Sequence, residues 1–110
     1  MAGTSDKLLD GKVALVTGAA GGLGNAFARA LLAEGARLVV CDVRAEVEQF
    51  ARDVGALALT ADVSRADDAR RVVAAAQSEF GRIDVLVNNA GVWAGSLPTD
   101  PLDKTARDYD

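Results

Sequence analysis

Short hydrophobic runs alternate with longer amphipathic segments along most of the chain. The run Val-Ala-Leu-Val within 12–17 is too short for a helix and is bounded by glycines, which predicts a strand buried on both faces. Similar runs predict strands at 37–41, 56–60 and 83–87. Segments at 22–34, 45–53 and 64–80 favour helices, which end at Gly35, Gly55 and Gly81.

Two of the predicted helices carry more detailed signals. Ser64, with Asp67 three residues later, resembles a capping box and is predicted to cap the third helix. The third helix then has an apolar face at i, i+4 and i+8, made of Val72, Ala76 and Phe80. The first helix is predicted to have one face made of Leu23, Phe27, Ala30 and Leu31.

The predicted order of elements is β-α-β-α-β-α-β with short connections. Such alternation requires right-handed crossovers and a parallel sheet covered by helices on both faces. We therefore predict an α/β, doubly wound sheet of strand order 3-2-1-4, as a single domain over 1–110. A fifth strand would follow the fourth in this architecture, so the chain is predicted to be truncated before it.

A glycine-rich turn lies where the first strand passes into the first helix. Residues 17–24 read Thr-Gly-Ala-Ala-Gly-Gly-Leu-Gly. Free N–H groups and the positive end of the helix dipole make this position suited to an anion, and glycines let a pyrophosphate approach the backbone. No Gly-Lys-Ser/Thr follows, so a Walker-type phosphate loop is excluded.

Asp42 stands at the end of the second predicted strand, 18 residues after Gly24. An acid at about this distance from the glycine turn accepts hydrogen bonds from the adenosine ribose hydroxyls, and it repels a 2′-phosphate. The next residue is Val43 and the turn contains no Lys or Arg, so NAD is favoured over NADP. Arg44 is the one basic residue nearby.

The fourth predicted strand ends in Asn88-Asn89-Ala90-Gly91. Two amides at the carboxyl end of a strand offer donors and acceptors where an open α/β sheet keeps its ligand. From the residues alone, a polar turn and a ligand-binding segment are equally open.

These motifs together resemble the short-chain dehydrogenase/reductase family. The resemblance rests on Thr-Gly-x-x-x-Gly-x-Gly at 17–24, the acid Asp42, Asp62-Val63 after the third strand, and Asn-Asn-Ala-Gly at 88–91. It covers 11–91, with each motif in the family's order and spacing. It implies the cofactor-binding half of an NAD-dependent oxidoreductase that transfers a hydride between the nicotinamide and an alcohol or ketone.

The resemblance also implies roles for individual residues. Asp42 would hold the ribose, while Asp62 and the backbone of Val63 would meet the adenine edge. Thr17 and Asn88 would be mainly structural, tying the first and fourth strands together. The pyrophosphate and nicotinamide side would be lined by the turn residues Gly18, Ala20, Gly21, Gly22, Leu23 and Gly24. The cofactor's ribose would lie along Asn89, Ala90 and Gly91.

The catalytic residues of the family cannot be placed in this chain. In the family a Tyr-x-x-x-Lys pair and a Ser perform the proton transfer that accompanies hydride movement. Tyr109 follows Ser96 by 13 residues, a spacing that the family also shows, but the chain ends at Asp110, so no Lys stands four residues later. Ser96 follows no fifth strand, and Lys104 precedes the tyrosine. The 110 residues alone are therefore predicted to be inactive.

Composition narrows the remaining possibilities. The formal net charge of −4 argues against nucleic acid as a partner, and no run approaches the about 20 apolar residues of a membrane span. The absence of histidine removes the commonest general base and metal ligand, and no metal site is predicted. The single Cys41 is interpreted as a buried thiol in a reducing cytoplasm.

Three functional hypotheses follow from the sequence. The first is the N-terminal part of an NAD-dependent oxidoreductase, acting on a small alcohol or ketone and homo-oligomeric when complete. The second is a nucleotide-binding module without redox chemistry. The third is an S-adenosylmethionine methyltransferase, against which the Asn88-Asn89 amide pair counts.

Overall fold

Strands and helices alternate along residues 7–90, the part of the chain that the computed structural model describes. No helix within this range has the length and apolar character needed to cross a membrane. In chain order the elements are β1 (Val13–Thr17), α1 (Gly22–Ala33), β2 (Arg37–Asp42), α2 (Glu46–Val54), β3 (Leu57–Thr60), α3 (Ala66–Phe80) and β4 (Val85–Val87).

The four strands form one parallel sheet of order β3-β2-β1-β4. Leu15 at the centre of β1 lies opposite Val39 of β2 on one side and Leu86 of β4 on the other. The predicted doubly wound α/β fold and its strand order are confirmed. Because the carboxyl ends of parallel strands meet at one edge, the segments that follow β1, β2, β3 and β4 come together there.

Side chains of β1 and β2 alternate between two apolar layers, one on each face of the sheet. On one face Val16 and Val40 pack with Ala28 of α1 and Phe50 of α2. On the other face a second cluster joins the sheet to α3, made of Val13, Leu15, Val39, Cys41, Ala61, Val72 and Ala76. This two-sided burial explains why the runs of β1 and β2 are continuously hydrophobic rather than alternating.

The start of α3 differs from the sequence prediction. The helix begins at Ala66 after Arg65, whose side chain makes no capping hydrogen bond. The predicted cap was wrong because the Ser64 hydroxyl donates instead to Oδ1 of Asp62, at 2.6 Å. A residue of the helix holds Asp62 in place, because Oδ2 of Asp68 accepts the N–H of Asp62 at 2.8 Å.

The buried face of α1 also differs from the predicted one. Gly24 and Ala28 face the sheet, whereas Leu23 and Phe27 are 67% and 40% exposed. The helix lies so close to the end of β1 that a Cβ on Gly24 would collide with the carbonyl oxygen of Gly18. Small side chains therefore occupy this contact, and Leu23 and Phe27 point away from it. Leu31 of the predicted face, with its neighbour Leu32, packs against the core farther along the helix.

The fourth strand is shorter than the predicted 83–87 and begins at Val85. Asp84 precedes it and joins it to β1, because its Oδ2 accepts the N–H of Val13 at 2.9 Å while its own N–H donates to the Val13 carbonyl at 2.8 Å. Hydrogen bonds from Arg82 and from the Val13 amide hold the pKa of Asp84 below its usual value.

Candidate cofactor-binding site

An open groove of about 780 Å³ lies at the carboxyl edge of the sheet and continues along α3 toward β4. Its polar end is formed by the segments that follow the strands, and its other end is apolar. The polar lining comprises Thr17, Gly18, Gly21, Asp42, Arg44, Asp62, Ser64, Asn88, Asn89 and Ala90. The apolar lining includes Leu15, Cys41, Ala61, Val63, Val72, Val73, Ile83 and Leu86.

The glycine turn is built on close approaches between backbones. Gly18 has a φ of +66°, and a Cβ on it would lie 3.0 Å from both N and Cα of Ala90. A Cβ on Gly24 would collide with the Gly18 carbonyl and would also lie 2.8 Å from Nδ2 of Asn89. Gly18 and Gly24 therefore let β1, α1 and the segment after β4 meet without intervening side chains.

Within residues 7–90, no side chain caps the amino end of α1. Gly21 is its N-cap, no side chain caps the helix, and no acidic residue lies in its first turn. By contrast, α2 has Glu46 and Glu48 in its first turn, and α3 has Asp67 and Asp68. The positive end of α1 thus faces the groove with backbone N–H groups available to an anionic ligand.

Asp42 connects the end of β2 to the glycine turn. Its Oδ2 accepts the N–H of Ala20 at 2.9 Å, and its Oδ1 accepts the N–H of Arg44 at 2.9 Å. Each carboxylate oxygen can accept a further hydrogen bond, so the side chain retains capacity for ligand hydroxyls. The carboxylate that the sequence singled out therefore also orders the turn beside it.

Thr17 ties the carboxyl ends of β1 and β4 together through its buried hydroxyl. Oγ1 accepts the N–H groups of Asn89 and Ala90, each at 2.9 Å. It lies 3.5 Å from the Val87 carbonyl and 3.3 Å from Oδ1 of Asn88. Nδ2 of Asn89 in turn donates to the Gly18 carbonyl at 3.2 Å, so the Asn-Asn-Ala segment is held against the glycine turn.

Replacing Thr17 with valine should lower the free energy of unfolding by about 1–3 kcal/mol, the cost of leaving donors at a partly buried site without their acceptor. Valine keeps the shape but cannot accept from Asn89 and Ala90. Urea denaturation measures the effect. Thr17→Ser is the matched control, because it keeps the hydroxyl and loses one methyl group, worth about 0.8 kcal/mol. A valine variant as stable as the serine variant would contradict this role of the hydroxyl.

Asp62 and Val63 follow β3 and form the far wall of the groove. Oδ1 of Asp62 accepts from both the hydroxyl and the N–H of Ser64, at 2.6 and 3.0 Å, and these bonds hold the pKa of Asp62 below its usual value. Above them, the guanidinium of Arg71 donates to the Thr60 carbonyl at 2.8 Å. The wall is therefore ordered by short-range hydrogen bonds rather than by burial.

Cys41 lies at the bottom of the groove, at the end of β2. It is fully buried and free of any disulfide. Burial, together with the neighbouring charge of Asp42, raises the pKa of its thiol to about 11. The predicted burial is confirmed, and the thiol is protonated and unreactive at neutral pH.

The structure brings most of the predicted site residues to this groove. Seven line it: Gly18, Gly21, Asp42, Asp62, Val63, Asn89 and Ala90. Ala20 is joined to the groove by the hydrogen bond from its N–H to Asp42. Gly22 is the first residue of α1, with a φ of +59° and open space where a Cβ would lie. Leu23 projects outward and Gly24 packs under the turn. Gly91, Ser96 and Tyr109 lie outside the described residues.

Sequence reasoning missed Asp68 and Ser64 as partners of Asp62, and it took Asp42 only as a ligand-binding group. The two residues that order Asp62 lie within six positions of it, and the sequence Asp-x-Ser at 62–64 is a local signal for such a turn. The contact between Asp42 and Ala20 joins residues 22 positions apart and has no local signal.

Comparison with known proteins agrees with this geometry. The sequence model of the short chain dehydrogenase family matches residues 12–108. An uncharacterized oxidoreductase of Methylorubrum extorquens is 50% identical over 92 residues, which cover 77% of this chain and 37% of the relative. D-threitol dehydrogenase of Mycolicibacterium smegmatis is 44% identical over 111 residues, covering 96% of this chain and 42% of the relative.

A solved structure has the same fold. The 3-ketoacyl-(acyl-carrier-protein) reductase from Brucella melitensis, complexed with NADH, is 40% identical and superposes with a TM-score of 0.80 over 91% of this chain and 43% of that chain. The chain thus spans about two fifths of the length of the relatives it matches.

Proposed function

The chain belongs to the short-chain dehydrogenase family, and on this premise we propose that it is the cofactor-binding part of an NAD-dependent oxidoreductase. The complete protein would transfer a hydride between the nicotinamide and a small alcohol or ketone. The methyltransferase hypothesis is set aside, because family membership accounts for the glycine turn, the strand-end acid and the amide pair together. Borneol and D-threitol dehydrogenases among its relatives act on small alcohols by name, which supports this substrate class.

The observation that carries the proposal is the meeting of Asp42 with the glycine turn at the carboxyl edge of the sheet. The turn offers close backbone approach and an uncapped helix end, both suited to a pyrophosphate. Asp42 stands beside it with acceptor capacity for a ribose. The groove therefore combines an anion-binding end with a diol-binding acid, the pairing that a dinucleotide requires.

The residues fit a nicotinamide dinucleotide, which when bound would supply or accept the hydride. The turn residues 18–24 would hold the pyrophosphate and the nicotinamide side, and Asp42 would accept from the ribose hydroxyls. Asp62 and Val63 would meet the adenine edge. Asn89, Ala90 and Gly91 would lie along the cofactor's ribose, and Thr17 holds Asn89 and Ala90 in place.

A preference for NAD is proposed on the charge of Asp42, which opposes a 2′-phosphate and favours free ribose hydroxyls. The Brucella reductase complexed with NADH supports this choice through its similarity to the chain. Cytoplasmic location is proposed from the single free, buried cysteine, and homo-oligomerisation of the complete protein from the family resemblance.

A nucleotide-binding module without redox chemistry is the second candidate. Its support is the groove alone, which would bind a nucleotide with or without redox chemistry. Both candidate functions use the groove as a nucleotide-binding site. They differ only in whether catalytic residues from outside these 110 residues join it.

We expect the 110-residue chain to bind NADH and to show no turnover with any alcohol or ketone. NADH fluorescence titration measures binding, and the NADH absorbance measures turnover with a panel of small alcohols and ketones. Failure to bind both NADH and NAD would overturn the proposed function. Steady turnover that Tyr109→Phe abolishes would contradict the assignment of the catalytic residues to another part of the protein.

A further inference from the structure

The N–H of Asp62 is held by a side chain that does not itself line the groove. Asp68 lies in the first turn of α3, and its Oδ2 accepts the N–H of Asp62 at 2.8 Å. Its carboxylate thus reaches back past the start of the helix to a residue that lines the groove. The side chain of Asp68 is 29% exposed, so this hydrogen bond is partly shielded from water. Asp68 can therefore act on a bound ligand only through Asp62.

Arg71 adds a second bond between α3 and the same segment. Asp68 and Arg71 are three residues apart, so they lie on one face of the helix. The guanidinium of Arg71 donates to the Thr60 carbonyl at 2.8 Å, and it lies 3.7 Å from Oδ1 of Asp68. The end of β3 and the residue two positions later are thus both bonded to one turn of α3. Because Asp62 is half-buried and lies outside the helices and strands, these bonds rather than close packing fix its backbone.

Two polar groups at this wall of the groove remain free for a ligand. Both hydrogen bonds from Ser64 go to Oδ1 of Asp62, so within residues 7–90 its Oδ2 accepts none. The N–H of Val63 likewise has no hydrogen-bond partner within this range. An acceptor beside a donor matches adenine, whose 6-amino group donates and whose neighbouring ring nitrogen accepts. A 6-oxopurine such as hypoxanthine presents the opposite pair, an oxygen acceptor beside an N–H donor.

The placement of these two groups decides whether both hydrogen bonds to a base can form at once. N–H···O bonds form over a narrow range of about 2.7–3.2 Å, so a shift of the Asp62 backbone by about 1 Å would break one of them. Resting on the proposed function, we propose that Asp68 is a positioning residue for base recognition. Through its bond to the Asp62 N–H, it holds Asp62 and Val63 where the groove selects an adenine dinucleotide over one with a 6-oxopurine base.

The test is titration calorimetry of the 110-residue chain with NAD and with nicotinamide hypoxanthine dinucleotide, which differs from NAD only in its base. The wild-type chain should bind NAD at least about tenfold more tightly, because the oxopurine leaves both groups unpaired. Asp68→Ala should reduce this ratio to about threefold or less, mainly by weakening NAD binding. Asp68→Leu also lacks an acceptor but keeps the approximate shape, so it should reduce the ratio equally. Asp68→Asn keeps one oxygen for the Asp62 N–H and should retain most of the ratio.

Asp67→Ala is the matched control, because it removes an acid from the same turn of α3, one that is 93% exposed and pairs with Arg70. It should leave the ratio unchanged, and thermal melting verifies that each variant is folded. A purely structural role of Asp68 would weaken binding of both dinucleotides by the same factor. That result would overturn this inference alone, as would equal affinities in the wild-type chain or an unchanged ratio in Asp68→Ala and Asp68→Leu. If the wild-type chain binds neither dinucleotide, the proposed function is overturned, and this inference with it.

Discussion

Replacing Asp42 with alanine is expected to weaken NAD binding by about 1–3 kcal/mol, the range for losing hydrogen bonds to a charged group. The loss has two sources in the structure. The carboxylate would no longer be available to ribose hydroxyls, and the N–H groups of Ala20 and Arg44 would lose the acceptor that holds the turn. Discrimination against NADP should fall at the same time, because the repulsive charge is removed while Arg44 stays.

Titration calorimetry with both cofactors measures this effect. Asp42→Asn removes the charge and keeps one oxygen, which can accept from only one of the two N–H groups, so it should disturb the turn less than Asp42→Ala does. Asp53→Ala is the matched control, because it removes an exposed acid that bonds Gln49 on α2, outside the groove. If NAD affinity in Asp42→Ala equals that of the control, Asp42 is not part of the binding site.

The largest effect on stability is expected from Gly24→Ala. The added Cβ would collide with the carbonyl oxygen of Gly18 and lie 2.8 Å from Nδ2 of Asn89. A backbone carbonyl cannot rotate away as a side chain can, so the cost should approach the upper end of the about 1–3 kcal/mol typical of overpacking. The melting temperature should fall by about 12–24 °C, at about 4–8 °C per kcal/mol for a domain of about this size.

Gly21→Ala is the matched control for this substitution. Its φ of −169° is extended backbone, and its Cβ would meet only the Arg44 guanidinium at 3.6 Å. Its stability should stay within about 1 kcal/mol of wild type, a loss of the size expected at a helix N-cap. Differential scanning calorimetry of both variants decides the matter, and equal melting temperatures would refute the close approach of α1 to the end of β1.

The positions of the turn and of Asp42 were predictable because each follows from local chemistry. A glycine cluster between a strand and a helix, and an acid at the end of the next strand, depend on residues that are neighbours in sequence. The start of α3 was predicted wrongly, although it also depends on residues that are neighbours in sequence. Ser64 had two local partners, the helix and Asp62, and the sequence does not show which of them wins.

The sequence by itself determined the order of elements, the glycine stops and the parallel sheet. Hydrophobic periodicity distinguishes a buried strand from an amphipathic helix, and alternation of the two leaves only a few topologies, all with a parallel sheet. Only the tertiary structure decided which face of α1 is buried, that Asp42 holds the turn, and that Arg44 lies over Gly21. The contacts of Asp42 with Ala20 and of Arg44 with Gly21 join residues more than 20 positions apart, and the buried face of α1 is set by its close approach to Gly18. Contacts of a few ångströms such as these are set by packing and leave no periodic signal in the chain.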